Sequence, residues 1–283
     1  MLSQAAKTGQ LLAKNTRPQN IVYSGLLAAV TALILHSSIY KVISCYILVL
    51  LLYAIAAGYN NIQDLETDRL NKRLDNPLLH KEFKYKDLNI YFILCLLGTC
   101  LLQFFFTQPQ TAIITLVYLI LTIVYSHKKI NFMSRGLLGT ILLCAYYGSL
   151  PFLLGAVQGE GLSTSKLVEI SLLEITLLLP LILAKDYKDY KGDKLSKKFT
   201  PLILYGVQAV RLTAYFAALL AVALYIWLAA KQNVNLIILI ICPPFYLVLI
   251  YALHKTRGTL AKYYRNLLTI VLLLVTISLI SRF

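Results

Sequence analysis

The polar run Asn60-Asn61-Ile62-Gln63-Asp64-Leu65-Glu66-Thr67-Asp68-Arg69 interrupts the chain directly after an apolar segment at 42–59. A second run, Lys185-Asp186-Tyr187-Lys188-Asp189-Tyr190-Lys191-Gly192-Asp193-Lys194, follows the apolar segment 166–184 in the same way. Around them the chain is strongly apolar: 59% of its 283 residues are hydrophobic, 14% are charged, and the mean hydropathy is +0.71. Soluble domains carry about 25% charged residues, so a water-soluble enzyme is excluded. The composition calls for an integral, multi-pass membrane protein.

A spanning helix needs about 20 mainly apolar residues. Nine segments qualify: 21–40, 42–59, 88–106, 111–125, 137–157, 166–184, 212–230, 236–254 and 263–280. They predict an all-α bundle of nine transmembrane helices forming one domain over residues 1–283, with kinks near Pro151, Pro180 and Pro243-Pro244. Residues 1–20 carry Lys7, Lys14 and Arg17 without a separate apolar core, which predicts an interfacial segment rather than a signal peptide. With the N-terminus in the cytoplasm, 23 of the 27 Lys and Arg fall on the inner side. Only Lys41, Lys166, Lys231 and Arg282 lie outside, a strong form of the positive-inside rule. The net charge of +15 is therefore a topology signal beside lipid headgroups, and no nucleic-acid partner is implied. The five cysteines sit in apolar stretches without metal or disulfide spacing.

Nine of the twelve acidic residues share the predicted cytoplasmic side, concentrated in the two runs. Asn60, Asp64 and Asp68 stand at i, i+4 and i+8; Asp189 and Asp193 stand at i and i+4, with Asp186 three residues earlier. Four residues turn an α-helix by about 400°, so each set forms one stripe with steps of about 6 Å. Like charges at that spacing destabilise a bare helix, and two such stripes on one membrane face call for a cation. Magnesium suits them, since it is hard and is held by one or two carboxylates plus substrate phosphates. Lys185, Lys188, Arg69 and Arg73 would supply further positive charge toward a diphosphate. Solvated inter-helical loops would explain either run alone, but not two in the same register after even-numbered helices. Neither run has the ligand pattern of an EF-hand.

The run NNIQDLETDRLNKRLDNPL resembles the first aspartate-rich motif of the UbiA superfamily of intramembrane prenyltransferases, and KDYKDYKGDKLSKKFTPLILYG resembles the second. Thr16-Arg17-Pro18-Gln19-Asn20 and Tyr125-Ser126 are similar to further family positions. The resemblance implies a nine-helix bundle around a central cavity open sideways to lipid, with two Mg²⁺ ions holding an isoprenyl diphosphate at its cytoplasmic mouth. It implies that Asn60, Asp64 and Asp68 form one metal-binding wall and Asp189 and Asp193 the other, supported by Asp186. Lys185 would bind diphosphate, and Arg17, Tyr125 and Ser126 would line the mouth. Two positions depart from the family pattern: Asn61 stands where an aspartate is usual, and Asn76-Pro77 where Arg-Pro is usual.

The expected reaction is transfer of an isoprenyl group from an allylic diphosphate to a lipophilic or aromatic acceptor, either a quinone precursor or a lipid-pathway compound. Tyr146 and Tyr147, near the Pro151 kink, are candidates to steady a carbocation. Glu174 lies mid-span, where a carboxyl is a functional hypothesis; it is read as a proton acceptor or as a protonated, hydrogen-bonded group. His36, His80, His127 and His254 share no register and receive no chemistry. The rival readings are a terpene cyclase on the same scaffold and a transporter. Transport is disfavoured because the paired acids lie at the boundary rather than the midplane.

Overall fold

The computed structural model describes residues 18–70, 76–79, 84–232, 234–259 and 261–280, together with 6 and 9–11. Among them there is helix and no strand. We number the helices α1 (Pro18–Ile34), α2 (Ile39–Gln63), α3 (Leu65–Leu70), α4 (Tyr85–Gln103), α5 (Pro109–Ser126), α6 (Leu137–Ala156), α7 (Thr164–Leu195), α8 (Pro201–Gln232), α9 (Leu236–Lys255) and α10 (Ala261–Ile280). By length and composition α2 and α4–α9 are each able to cross a membrane, and two shorter apolar stretches, Ile21–Ile34 and Asn266–Ile280, lie in α1 and α10. Apolar side chains such as Leu97, Leu101, Ile120, Phe216, Ile240 and Val248 face outward, as a surface bathed in lipid rather than water requires.

The helices form a ring. α1 packs on α2, α2 on α4 and α5, α5 on the end of α6, α6 on α7, α7 on α8, α8 on α9 and α9 on α10; α10 returns to α1. α1 also lies against the end of α6, where small residues set the distance. A Cβ on Gly155 would come within 2.2 Å of the Ala28 carbonyl oxygen, so the two backbones touch as small-residue helix pairs do in membranes.

Three departures from the expected segments have a visible local cause. The first segment does not reach Tyr40: left-handed His36 (φ 59°) ends the turn after α1, extended Ser38 precedes α2, and Ile39 and Tyr40 belong to the second helix. The seventh segment begins earlier than 212, because Pro201 starts α8, which then breaks at Gly206 (φ 77°, ψ 173°) before continuing. The expected 60–68 stripe is bent, since the helix is interrupted at Asp64 (φ −94°, ψ 6°) between α2 and α3. The amide of Asp68 still donates to the Asp64 carbonyl at 2.8 Å, so the i, i+4 relation survives the bend. Most of the proposed interfacial segment 1–20 lies outside the described residues.

At Pro151, α6 contains a π-helical turn, Ala145–Ser149. Proline has no N–H, which leaves the carbonyl four residues earlier, that of Tyr147, without its helical partner. Ser24 of α1 donates its hydroxyl to that carbonyl at 2.7 Å. The wide turn therefore ties α6 to α1 and sets Tyr146 and Tyr147 toward the interior.

α7 is 32 residues long. At about 1.5 Å per residue it spans about 48 Å, well beyond a hydrocarbon core of about 30 Å. Its apolar stretch ends at Ala184, so the polar end carrying the second acidic run projects past the hydrocarbon as a continuous helix.

Candidate functional site

The two acidic runs meet across one cavity of about 820 Å³. Asn60, Asp64 and Asp68 line one side; Lys185, Asp186, Lys188, Asp189 and Asp193 line the other. Asp64, Asp68, Asp189 and Asp193 are all buried, which no set of solvated loops would achieve. Tyr125, Ser126, Tyr146 and Tyr147 line the same cavity.

The first wall is held by a chain of hydrogen bonds. Ser126 donates Oγ to Asn60 Oδ1 at 3.1 Å, and Asn60 Nδ2 donates to Asp64 Oδ2 at 3.0 Å. The other Asp64 oxygen accepts from Lys198 Nζ at 2.7 Å, a pair with only 13% and 6% of its side chains exposed. Asn76, wholly buried, donates Nδ2 to Asp68 Oδ2 at 2.8 Å and to the Asn61 carbonyl at 3.0 Å, while its Oδ1 accepts from the Leu78 amide at 3.0 Å. The departure from Arg-Pro thus places an amide where it braces Asp68.

Sequence reading missed Lys198, and the local backbone explains why. α7 ends in a Schellman turn: the Lys198 amide donates to the Asp193 carbonyl at 2.9 Å and the Lys197 amide to the Lys194 carbonyl at 3.4 Å. Lys197 takes the left-handed position (φ 55°) usually given to glycine. This reversal carries Lys198 back over the cavity, off the helical register by which spacing is read. Arg257, beyond the end of α9, also lines the cavity; no local sequence signal marks it.

The second wall is less saturated. Burial pushes the Asp186 carboxyl up to about 7; Lys185 opposes this, and Asp193 and Asp189 add to it. Burial likewise raises Asp193 to about 6 against the pull of Lys198. Among the described residues, Asp186 Oδ2 is buried without a hydrogen-bond partner. Among the described residues, no three acidic, histidine or cysteine side chains close on a single point. The walls are still suited to a hard divalent cation: the donors are carboxylate and amide oxygens, one of them orphaned, and they stand beside cationic side chains.

Other expected site residues fall elsewhere. Arg69 is exposed and does not line the cavity, since it follows the inward-facing Asp68 by about 100° around α3. Arg17 and Arg73 lie outside the described residues. Glu174 is fully buried but sits behind the lining, accepting hydrogen bonds from the hydroxyls of Tyr23 and Thr276. His254 is structural: Nε2–H donates to the Pro180 carbonyl at 2.8 Å and Nδ1 accepts from the Tyr187 hydroxyl at 3.1 Å, fixing α9 against α7.

An acid-lined polar mouth over an aromatic and apolar cavity, inside a ring of lipid-facing helices, is the site of a membrane-embedded enzyme. The chain belongs to the UbiA prenyltransferase family, whose profile matches residues 21–273. It is 29% identical over 235 residues to the digeranylgeranylglyceryl phosphate synthase of Methanoregula boonei, covering 79% of this chain and 82% of that protein. In fold it is similar to a solved digeranylgeranylglyceryl phosphate synthase structure (TM-score 0.72, 20% identity, 98% of this chain and 99% of that one). A UbiA homologue from Archaeoglobus fulgidus bound to DMAPP and Mg²⁺ is similar as well (TM-score 0.71, 16% identity, 95% and 99%).

Proposed function

We propose that this prenyltransferase moves an isoprenyl group from an allylic diphosphate to the hydroxyl of a prenylated glyceryl phosphate, releasing diphosphate. The observation that carries the reading is the meeting of two buried acidic walls at the mouth of one aromatic cavity. The acceptor is suggested by relatives named digeranylgeranylglyceryl phosphate synthase, of which the chain spans about four fifths. Asn60, Asp64 and Asp68 on one wall and Asp186, Asp189 and Asp193 on the other would hold two Mg²⁺ ions. When bound, these would neutralise charge developing on the departing diphosphate.

The chain's own residues do the rest. Lys185 and Lys188 offer ammonium donors to diphosphate oxygens at the mouth. The faces of Tyr53, Tyr146 and Tyr147 steady the allylic cation left when the carbon–oxygen bond to diphosphate breaks. The apolar walls keep water from quenching that cation, so the acceptor oxygen forms the new carbon–oxygen bond as its proton passes to the departing diphosphate. All nine apolar helices would cross the membrane as one unit, with the N-terminus and the acidic mouth at the cytoplasmic face; the charge tally of 23 of 27 supports this orientation.

The test is direct. Protein in nanodiscs is supplied with geranylgeranyl diphosphate, Mg²⁺ and a panel containing geranylgeranylglyceryl phosphate, hydroxybenzoate and a naphthoate. Prenylated product should appear with the glyceryl phosphate lipid. Product with an aromatic acceptor alone would overturn the acceptor assignment, and a hydrocarbon formed without acceptor would make the enzyme a cyclase.

A further inference from the structure

Both oxygens of Asp64 are taken by nitrogen donors. Asn60 Nδ2 donates to Oδ2 at 3.0 Å, and Lys198 Nζ donates to Oδ1 at 2.7 Å. The lysine is nearly as buried as its partner. Its ammonium also approaches Met133 Sδ at 3.9 Å, a weak acceptor that answers little of the charge. Across the cavity, Asp193 feels the charges of both Lys198 and Asp64. The ammonium therefore stands between the two acidic walls, where a cation serving both is wanted.

The lysine is placed so that it can leave. Its backbone amide is fixed to the Asp193 carbonyl at 2.9 Å, while a flexible four-carbon stem separates that backbone from the ammonium. Moving the charge needs side-chain rotation alone and leaves the turn unchanged. Two cations on one carboxylate oxygen repel, more strongly where water is scarce, so Lys198 and a divalent ion compete for Asp64. Charge balance says what settles that competition. Among the described residues, five carboxyl groups and four cationic side chains line the cavity, which leaves it close to neutral before any metal enters. Divalent ions alone would make it strongly positive. A diphosphate restores the balance and offers oxygens to the displaced ammonium.

We propose that Lys198 is the resident counter-ion of Asp64 in the empty enzyme and passes to the donor's diphosphate as Mg²⁺ replaces it. Metal alone then binds poorly, and metal and donor bind together. The inference rests on the proposed diphosphate reading and deepens it, since that reading gives Lys198 no role.

The test measures two affinities in nanodiscs by calorimetry. The first is that of Mg²⁺ without donor. The second, at saturating Mg²⁺, is that of a geranylgeranyl diphosphate whose bridging oxygen is replaced by sulfur. Lys198→Met should bind Mg²⁺ about tenfold tighter or more than wild type, and the donor analogue about tenfold weaker or more, the scale of one hydrogen bond to a charged group. Lys198→Arg, which keeps the charge, should leave Mg²⁺ affinity near that of wild type. A lysine that merely braces Asp64 would weaken both affinities when lost, or neither; only an exchange moves them in opposite directions. If Lys198→Met is not recovered folded, Lys198→Gln reads the same pair. Either affinity unchanged, or both moving together, in a folded variant overturns the inference and leaves the proposed function standing. If wild type binds no prenyl diphosphate even with Mg²⁺, the proposed function falls and takes the exchange with it.

Discussion

The two acidic walls differ in how their charges are met. On the first, Asp64 is paired with Asn60 and Lys198 and Asp68 with Asn76, at 2.7–3.0 Å. On the second, Asp186 keeps a buried oxygen without a partner among the described residues, and Asp193 is pushed up by burial. One wall is pre-organised by protein groups; the other stores an electrostatic cost that a cation would relieve. An asymmetric pair of this kind lets the fold be stable while the cation is away and still gain strongly when it arrives, because an unsatisfied buried charge costs more than a paired one.

The comparison breaks if only one wall matters. Asp64→Ala and Asp189→Ala should each lower turnover by more than about 10²-fold, the scale seen when one electrostatic stabiliser of a transition state is removed. Released diphosphate measures the rates. Asp64→Ala should also lower the thermal midpoint of the metal-free protein, since Lys198 loses the partner it is buried against. Near-normal turnover in either variant would reduce that wall to a structural role.

A smaller change sharpens the contrast. Asp186→Asn keeps the shape but removes the orphaned charge, and should weaken Mg²⁺ binding by about 10- to 100-fold, the range for groups supporting a metal site, measured by calorimetry. Without metal the variant should be more stable than wild type above neutral pH. The Asp186 carboxyl is raised to about 7 from an ordinary value of 3.8, so the folded state favours its protonated form. Wild-type stability should therefore fall as pH rises from about 4 through about 7, and the variant should flatten that decline. A steeper decline would mean that another group carries it.

Much of the candidate site was legible because carboxylates four residues apart share a helix face whatever surrounds them, which is why Asp64, Asp68, Asp189 and Asp193 line one cavity. Hydropathy located the apolar helices for a similarly local reason. The errors arose where a single residue leaves helical geometry: His36 and Ser38 moved the first boundary, Asp64 bent the first stripe, and Gly206 hid the start of α8. Lys198 and Arg257 were illegible because they reach the cavity through turns and distant packing, which no period records. Arg69 shows the converse, a cation next in sequence to a site residue but on the wrong side of its helix.

Asn76 belongs to the first wall by packing alone. Asn76→Ala should destabilise the protein by about 2 kcal/mol, because Asp68, the Asn61 carbonyl and the Leu78 amide lose a buried partner together. Chemical denaturation in mild detergent would read this. Stability equal to wild type would mean that Asp68 finds another donor, and that the first wall is less dependent on this amide than its geometry indicates.

The smallest effect concerns the turn that links the walls. Lys197 is exposed and left-handed, a conformation that costs a residue bearing a Cβ about 1–2 kcal/mol and glycine little. Lys197→Gly removes that strain but gives the unfolded chain more freedom, which returns about 0.4–1 kcal/mol. A net gain of between about 0 and 1.6 kcal/mol is expected, with turnover unchanged, since the backbone bonds from Lys197 and Lys198 to α7 do not involve the substituted side chain. Lost turnover in a variant of full stability would show that the lysine itself reaches the substrate. The second wall would then hold a cation that the pairing of Lys198 with Asp64 does not reveal.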